Sequence, residues 1–125
     1  MTQVLAIFIG GGFGAVSRYG VSVAAVRLAG PGFPVGTLIA NVLGCLGIGL
    51  VIGALARSNG ADWLKPLLVT GYLGGFTTFS AFSLDAVSLW ERGELFSAFF
   101  YVLASVALSL AAVFAGLALS RSMLA

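Results

Sequence analysis

Apolar residues run along this chain in four long blocks, each closed by a short polar or glycine- and proline-rich break. The first block runs from about Thr2 to Leu28 and stops at 30-GPGFP-34. The second runs from about Val35 to Ala56 and stops at the polar link 57-RSNGAD-62. The third runs from about Trp63 to Trp90 and stops at 91-ERGE-94. The fourth runs from about Leu95 to Leu119, before the tail 120-SRSMLA-125. A helix needs about 20 mostly apolar residues to cross the hydrocarbon core of a bilayer, and every block is long enough. None alternates apolar and polar positions as a barrel strand would. The pattern predicts an all-α membrane protein: one four-span transmembrane domain filling residues 1–125, with no room for a soluble domain.

Composition sharpens this reading. Hydrophobic residues make up 60% of the chain and charged residues only 8%, against roughly 25% charged in soluble domains. Such a chain lacks the charge to cover a water-facing surface. The net charge of +2 rests on six basic and four acidic residues; with no basic run and no nucleic-acid-reading motif, it points to lipid rather than nucleic acid as partner. Histidine is absent and Cys45 stands alone, so there is no disulfide framework, no Cys/His metal cluster and no nucleophile–histidine pair. No general base lies at membrane depth, which argues against an enzyme. The first block lacks a basic leading region and is too long for a signal-peptide core; it reads as a retained span. The run 10-GGGFGA-15 fits G-x-G-x-x-A, but no strand precedes it, so it is no dinucleotide fingerprint.

Orientation is weakly specified. With four spans, both termini share a side with Arg57, Lys65 and Arg121, while Arg27 and Arg92 lie on the other. Helices are oriented by an excess of Lys/Arg on the cytoplasmic side, and three against two is almost no excess. The simplest consequence is insertion in both orientations, which allows an antiparallel homodimer. Trp63 and Trp90 bracket the third block as interfacial residues do. They are 27 positions apart, about 40 Å of continuous helix, which leaves slack for a break or a tilt. Glycine pairs at four-residue spacing, such as Gly10/Gly14, Gly49/Gly53 and Gly71/Gly75, suit close helix approach.

Polar groups in lipid are costly, and those present invite a functional reading. Arg18 lies inside the first block; it serves either an anion-attracting vestibule or snorkels to the interface beside Tyr19. Thr37 and Asn41, four apart, share a helix face, and the Asn41 amide offers two N–H donors to another helix, to water or to an anion. The stretch 71-GYLGGFTTFSAFSLD-85 is a poor helix interior: Gly74-Gly75 and the β-branched Thr77-Thr78 predict a break there. Irregular backbone at membrane depth is tolerated where it is buried or lines a cavity, and its freed carbonyls suit a cation, its freed N–H groups an anion. Phe79 and Phe82 share a face once the helix resumes. They are either packing or two rings whose positive edges solvate a small anion. Tyr101, Ser105 and Ser109 form a slowly drifting hydroxyl stripe, free to donate to an anion or to bond back to their own helix. The inventory is donors without a mid-span carboxylate, which favours a small anion.

At these residues the chain resembles the CrcB/Fluc family of fluoride channels. The matching pieces are Gly11/Gly14-Ala15-x-x-Arg18-Tyr19, Gly36-Thr37-Leu38-x-x-Asn41-x-x-Gly44 and Gly74-Gly75-Phe76-Thr77-Thr78-Phe79-Ser80-x-Phe82. Ala81 stands where the family often has threonine, removing one hydroxyl. The resemblance covers essentially the whole chain. It implies a dual-topology antiparallel homodimer in the bacterial inner membrane, with two pores that export cytoplasmic fluoride passively and selectively. It implies that Asn41 donates at the pore vestibule, that Phe79 and Phe82 line the pore by their ring edges, and that Arg18 sits near the vestibule. It further implies that Tyr101, Ser105 and Ser109, with Thr37, belong to a polar track. Gly74 and Thr77 would offer backbone carbonyls to a structural Na⁺ on the dimer axis.

Two rivals set the alternatives. A small multidrug exporter has a similar span count but relies on a first-span glutamate, and the first block here holds no acid. A packing subunit would need the glycines only and would tolerate loss of Asn41, Phe79 and Phe82.

Overall fold

The computed structural model describes residues 1–124. Its elements are α1 (Thr2–Ala29), α2 (Val35–Leu55), a π-helical segment (Pro66–Leu73), α3 (Gly74–Phe76), α4 (Phe79–Glu91) and α5 (Leu95–Met123). Four stretches are long and apolar enough to cross a membrane: Thr2–Ala29, Val35–Leu55, Pro66–Glu91 and Leu95–Met123. No strand occurs among the described residues. The fourth helix continues past Leu119, and the Ser120 hydroxyl donates to the Leu117 carbonyl at 2.9 Å within its last turns.

The breaks between spans follow from turn chemistry. Gly30 ends α1 with φ 80°, and its N–H caps the Val26 carbonyl at 2.9 Å. Only glycine takes this left-handed conformation without a Cβ clash. Pro31 and Pro34 then keep the loop from rejoining the helix. At the opposite end, the Arg57 guanidinium donates to the Leu124 carbonyl, joining the second link to the end of α5.

The helices pack in two pairs. α1 lies along the π-helical segment and α3, while α2 lies along α5. Small residues set the α2–α5 distance. Gly49 and Gly116 face one another: a Cβ on Gly49 would lie 3.0 Å from the Gly116 Cα, and a Cβ on Gly116 would lie 3.0 Å from the Gly49 Cα. The backbones therefore touch directly, which is how membrane helices gain dispersion contact without a hydrophobic drive between them. At the end of the bundle nearest the first loop, Leu89, Ala98 and Tyr101 form a buried cluster with Phe33, Leu38, Phe82 and Ala86 against it.

The third span is not one regular helix, and the interruption falls later than the glycines suggest. Gly74 is helical, with φ −63° and ψ −39°, and Gly74 to Phe76 form a helical turn. The chain leaves helical geometry at Thr77 (φ −87°, ψ 156°) and Thr78 (φ −153°, ψ 120°). Of the two pairs expected to break the helix, the threonines do so and the glycines do not. Gly75 instead lies against α1, where a Cβ would come within 3.1 Å of the Gly11 Cα. Gly75 serves contact, and the β-branched threonines, which favour extended backbone, carry the break.

The packing predicts a contrast between glycines. Gly116→Val should lower stability by about 2 kcal/mol or more, since the added atoms meet backbone rather than a movable side chain. Gly32→Ala, in open space with no positive φ, should change it by less than about 0.5 kcal/mol. Thermal unfolding of the purified protein in detergent checks both; equal melting temperatures for the two variants would contradict the α2–α5 contact.

Candidate functional site: a donor-lined cleft beside the helix break

Thr78 is the residue on which the site is built. It occupies the N-cap of α4, and its hydroxyl accepts the Ala81 N–H at 3.0 Å. Threonine at this position satisfies one of the orphan amides of a helix start. Its own peptide is held from α2. The Asn41 Nδ2 donates to the Thr78 carbonyl at 3.0 Å, and the Thr78 N–H donates to the Asn41 Oδ1 at 2.7 Å. A side-chain amide is the neutral group that can donate and accept in one plane. Asn41 thus stands in for a missing strand partner across the extended Thr77–Thr78 backbone, and one amide proton of Asn41 remains for another acceptor.

These bonds leave particular carbonyls free. In a continuous helix the Gly74 carbonyl would accept from the Thr78 N–H and the Thr77 carbonyl from the Ala81 N–H. Both donors are taken, by Asn41 and by the Thr78 hydroxyl. Among the described residues the carbonyls of Gly74, Phe76 and Thr77 receive no hydrogen bond, whereas the Gly75 carbonyl accepts the Arg18 Nε–H at 3.2 Å. Thr77 turns its hydroxyl back to the Leu73 carbonyl at 2.9 Å, so its side chain is spent locally and its carbonyl is what it can offer.

Alongside the break lies a cleft of about 320 Å³ lined by Asn41, Cys45, Thr77, Thr78, Phe79, Phe82, Ser105, Val106, Ser109 and Leu110. It gathers Asn41, Phe79, Phe82, Ser105 and Ser109 from α2, α4 and α5. The Phe79 and Phe82 rings stand 5.4 Å apart at 57°, a tilted pair rather than a parallel stack. Ser105 is buried, and its hydroxyl finds no hydrogen-bond partner. An unsatisfied buried hydroxyl costs about 1–3 kcal/mol, so a group that accepts from it would be held firmly. No acidic residue lines this cleft.

Tyr101 and Thr37 are placed differently. Tyr101 is fully buried, and its hydroxyl donates to the Asp85 Oδ2 at 3.1 Å. Its ring packs 5.4 Å from Phe82 and 5.5 Å edge-on from Phe33. Phe82 belongs to the cleft, and Phe33 lines a second cavity of about 300 Å³ with Thr37, Asp85, Ser22, Ser88 and Arg92. The Tyr101 ring therefore joins the walls of two cavities, with Thr37 in the second. The hydroxyl stripe on α5 splits: Ser105 and Ser109 face the first cavity, and Tyr101 serves Asp85. Arg18 faces Gly75 on the other side of the third span. Its partner is a carbonyl, and the Ser17 hydroxyl beside it accepts from the Tyr72 hydroxyl at 3.0 Å.

Two structural roles lay beyond the sequence pattern, the cap at Thr78 and the partner of Asp85. Thr78, overshadowed by Thr77, carries the signature of a helix N-cap, a threonine directly before an apolar helical run. Asp85 gave no local signal, because its partner Tyr101 lies 16 residues away on another helix.

Residues 5–117 match the family described as "CrcB-like protein, Camphor Resistance (CrcB)". A Paracoccus denitrificans protein named "Fluoride-specific ion channel FluC" is 55% identical over 121 residues, covering 97% of this chain and 96% of the relative. A Rhizobium etli protein of the same name is 55% identical over 124 residues, covering 98% and 99%. One from Cereibacter sphaeroides is 49% identical over 125 residues, covering 100% and 99%. With a family match across nearly its full length and relatives at this identity, the chain belongs to the CrcB family.

Proposed function

We propose that this protein is a passive, selective fluoride channel of the plasma membrane, and that the cleft beside the Thr77–Thr78 break is part of its anion path. It spans the membrane several times and moves an ion without chemical transformation, so it is no enzyme. The observation that carries the reading is the buried, unpartnered Ser105 hydroxyl in a cleft that also holds the Asn41 amide and the Ser109 hydroxyl, has Phe79 and Phe82 in its walls and is lined by no acidic residue.

Fluoride is small and strongly hydrated, so a pathway through a membrane must replace its water with donors. Ser105 and Ser109 supply O–H groups, Asn41 supplies the amide proton that Thr78 leaves free, and the edges of Phe79 and Phe82 supply weaker positive surface. Thr37 and Tyr101 continue the track toward the second cavity. Arg18 lends positive charge on the far side of the third span. The physiological logic is acid trapping: neutral HF crosses the membrane from acidic surroundings and ionises in the cytoplasm. A passive channel then returns the anion down its gradient.

The working unit is an antiparallel homodimer of chains inserted in both orientations. The near-balance of Arg57, Lys65 and Arg121 against Arg27 and Arg92 supports dual insertion. So does the broad apolar surface of the single chain, where Phe8, Phe13, Phe79, Phe96 and Phe114 are exposed, enough to serve both lipid and a second copy. In that dimer the third-span break sits mid-membrane and a structural Na⁺ lies on the two-fold axis, held by the Gly74 and Thr77 carbonyls. The chemistry fits: Na⁺ takes neutral oxygen ligands, and both carbonyls lack an internal donor.

Three outcomes are expected in proteoliposomes read with a fluoride electrode. Wild-type protein should release fluoride rapidly once a K⁺ ionophore carries the balancing charge, with no matching chloride release; a folded dimer that passes no fluoride would sink the channel reading and leave a packing subunit. Phe82→Ile should slow fluoride release at least about tenfold, the equivalent of about 1.4 kcal/mol, while the dimer elutes unchanged; normal flux would remove that ring from the path. Ser105→Ala should slow release by roughly 10- to 100-fold, since a hydrogen bond to a charged group contributes about 1.5–3 kcal/mol; unchanged flux would make Ser105 a packing residue.

A further inference from the structure

The carbonyls at the break are not free by accident of a distorted helix; particular side chains free them. We infer that Asn41 and Thr78 are positioning residues for the central cation: by taking the N–H groups of Thr78 and Ala81, they leave the Gly74 and Thr77 carbonyls without donors. This rests on the reading that those carbonyls hold a cation in the dimer.

Each step is visible in the hydrogen bonds. The Thr78 N–H is the helical donor for Gly74, and it goes instead to the Asn41 Oδ1 at 2.7 Å. The Ala81 N–H is the helical donor for Thr77, and it goes instead to the Thr78 Oγ1 at 3.0 Å. Two carbonyls lie between them in sequence: that of Gly75 is removed from the set by a third group, since Arg18 donates to it at 3.2 Å, and that of Phe76 also lacks a donor among the described residues. A carbonyl already accepting from a guanidinium is a poor ligand for a cation, which would meet a like charge beside it. Three side chains thus set the state of the Gly74, Gly75 and Thr77 oxygens at the break. Helix carbonyls whose donor is lost in an apolar region are costly, and a shared cation on the axis would satisfy them all at once.

The inference gives Asn41 a second task. The same amide that offers a proton toward the anion cleft fixes the backbone from which the cation is held. Loss of the Asn41 amide should therefore weaken cation binding as well as fluoride flux. Thr78 separates the two tasks, because its hydroxyl is committed to the Ala81 N–H and to a 3.2 Å contact with the Ser80 hydroxyl.

The test is a Na⁺ titration of thermal stability with the full-length dimer in detergent, N-methylglucamine replacing Na⁺ at constant ionic strength. The wild type should gain stability with Na⁺, since a ligand bound only by the native state raises its melting temperature. Thr78→Val should raise the half-maximal Na⁺ concentration at least tenfold, and Thr78→Ser, which keeps the capping oxygen, should stay within threefold of wild type. Asn41→Leu should shift it in the same direction as Thr78→Val. Should Thr78→Val fail to give a folded dimer by gel filtration, Thr78→Ala decides in its place. A wild type that responds to Na⁺, with both hydroxyl-less and amide-less variants responding at the same concentrations, would overturn the positioning role alone. A wild type indifferent to Na⁺ would overturn the cation reading itself, and the positioning role with it.

Discussion

The two-way hydrogen bond between the Asn41 amide and the Thr78 peptide is the contact on which the rest of the site depends. Within hydrocarbon, a backbone that leaves helical geometry must find other partners for its N–H and C=O groups. Thr77 and Thr78 are extended, and without α2 beside them their peptides would stand unpaired. Asn41 reaches across from α2 and closes both the N–H and the C=O of one residue, Thr78. The extended turn can then persist, α4 can restart at Phe79 with Thr78 as its cap, and the cleft between α2, α4 and α5 can exist as a space rather than collapse into a continuous helix.

Close backbone contact supplies the frame that holds α2 in reach. Gly49 and Gly116 bring α2 against α5, which fixes the distance between Asn41 on one helix and Ser105 and Ser109 on the other. On the opposite side, Gly75 and Gly11 bring α1 against the third span, close enough for Arg18 to bond the Gly75 carbonyl. The high glycine content is therefore a statement about geometry near the site as much as about packing in general. A bulkier residue at either contact would move the donors by more than a hydrogen bond tolerates.

Much of this was legible in the sequence. Four apolar blocks separated by turn chemistry translate into spans because length and hydropathy are local properties of the chain. Asn41, Ser105 and Ser109 could be singled out because polar groups are rare in such blocks, and Phe79 and Phe82 because they follow the Thr-Thr pair three residues apart. The exact place of the break was not legible: glycine reports what the backbone is allowed to do, and here Gly75 packs against Gly11 of α1 in helical geometry while the threonines leave it. The split of the α5 hydroxyls was hidden for the same reason. Nothing in the spacing of Tyr101, Ser105 and Ser109 tells that Asp85, on another helix, claims the first of them.

That claim bears on how one chain keeps a donor-bearing cleft and a carboxylate on the same helix. A carboxylate facing the cleft would repel fluoride, yet Asp85 lies only three residues from Phe82. It is turned into the second cavity, where the Tyr101 hydroxyl donates to it and Thr37, Ser88 and Arg92 share the walls. Tyrosine suits this position because its two ends differ: the hydroxyl satisfies the acid on one side, and the ring completes an apolar wall on the other. The cleft keeps its donor character because the acceptor nearest to it in sequence has been given a partner of its own.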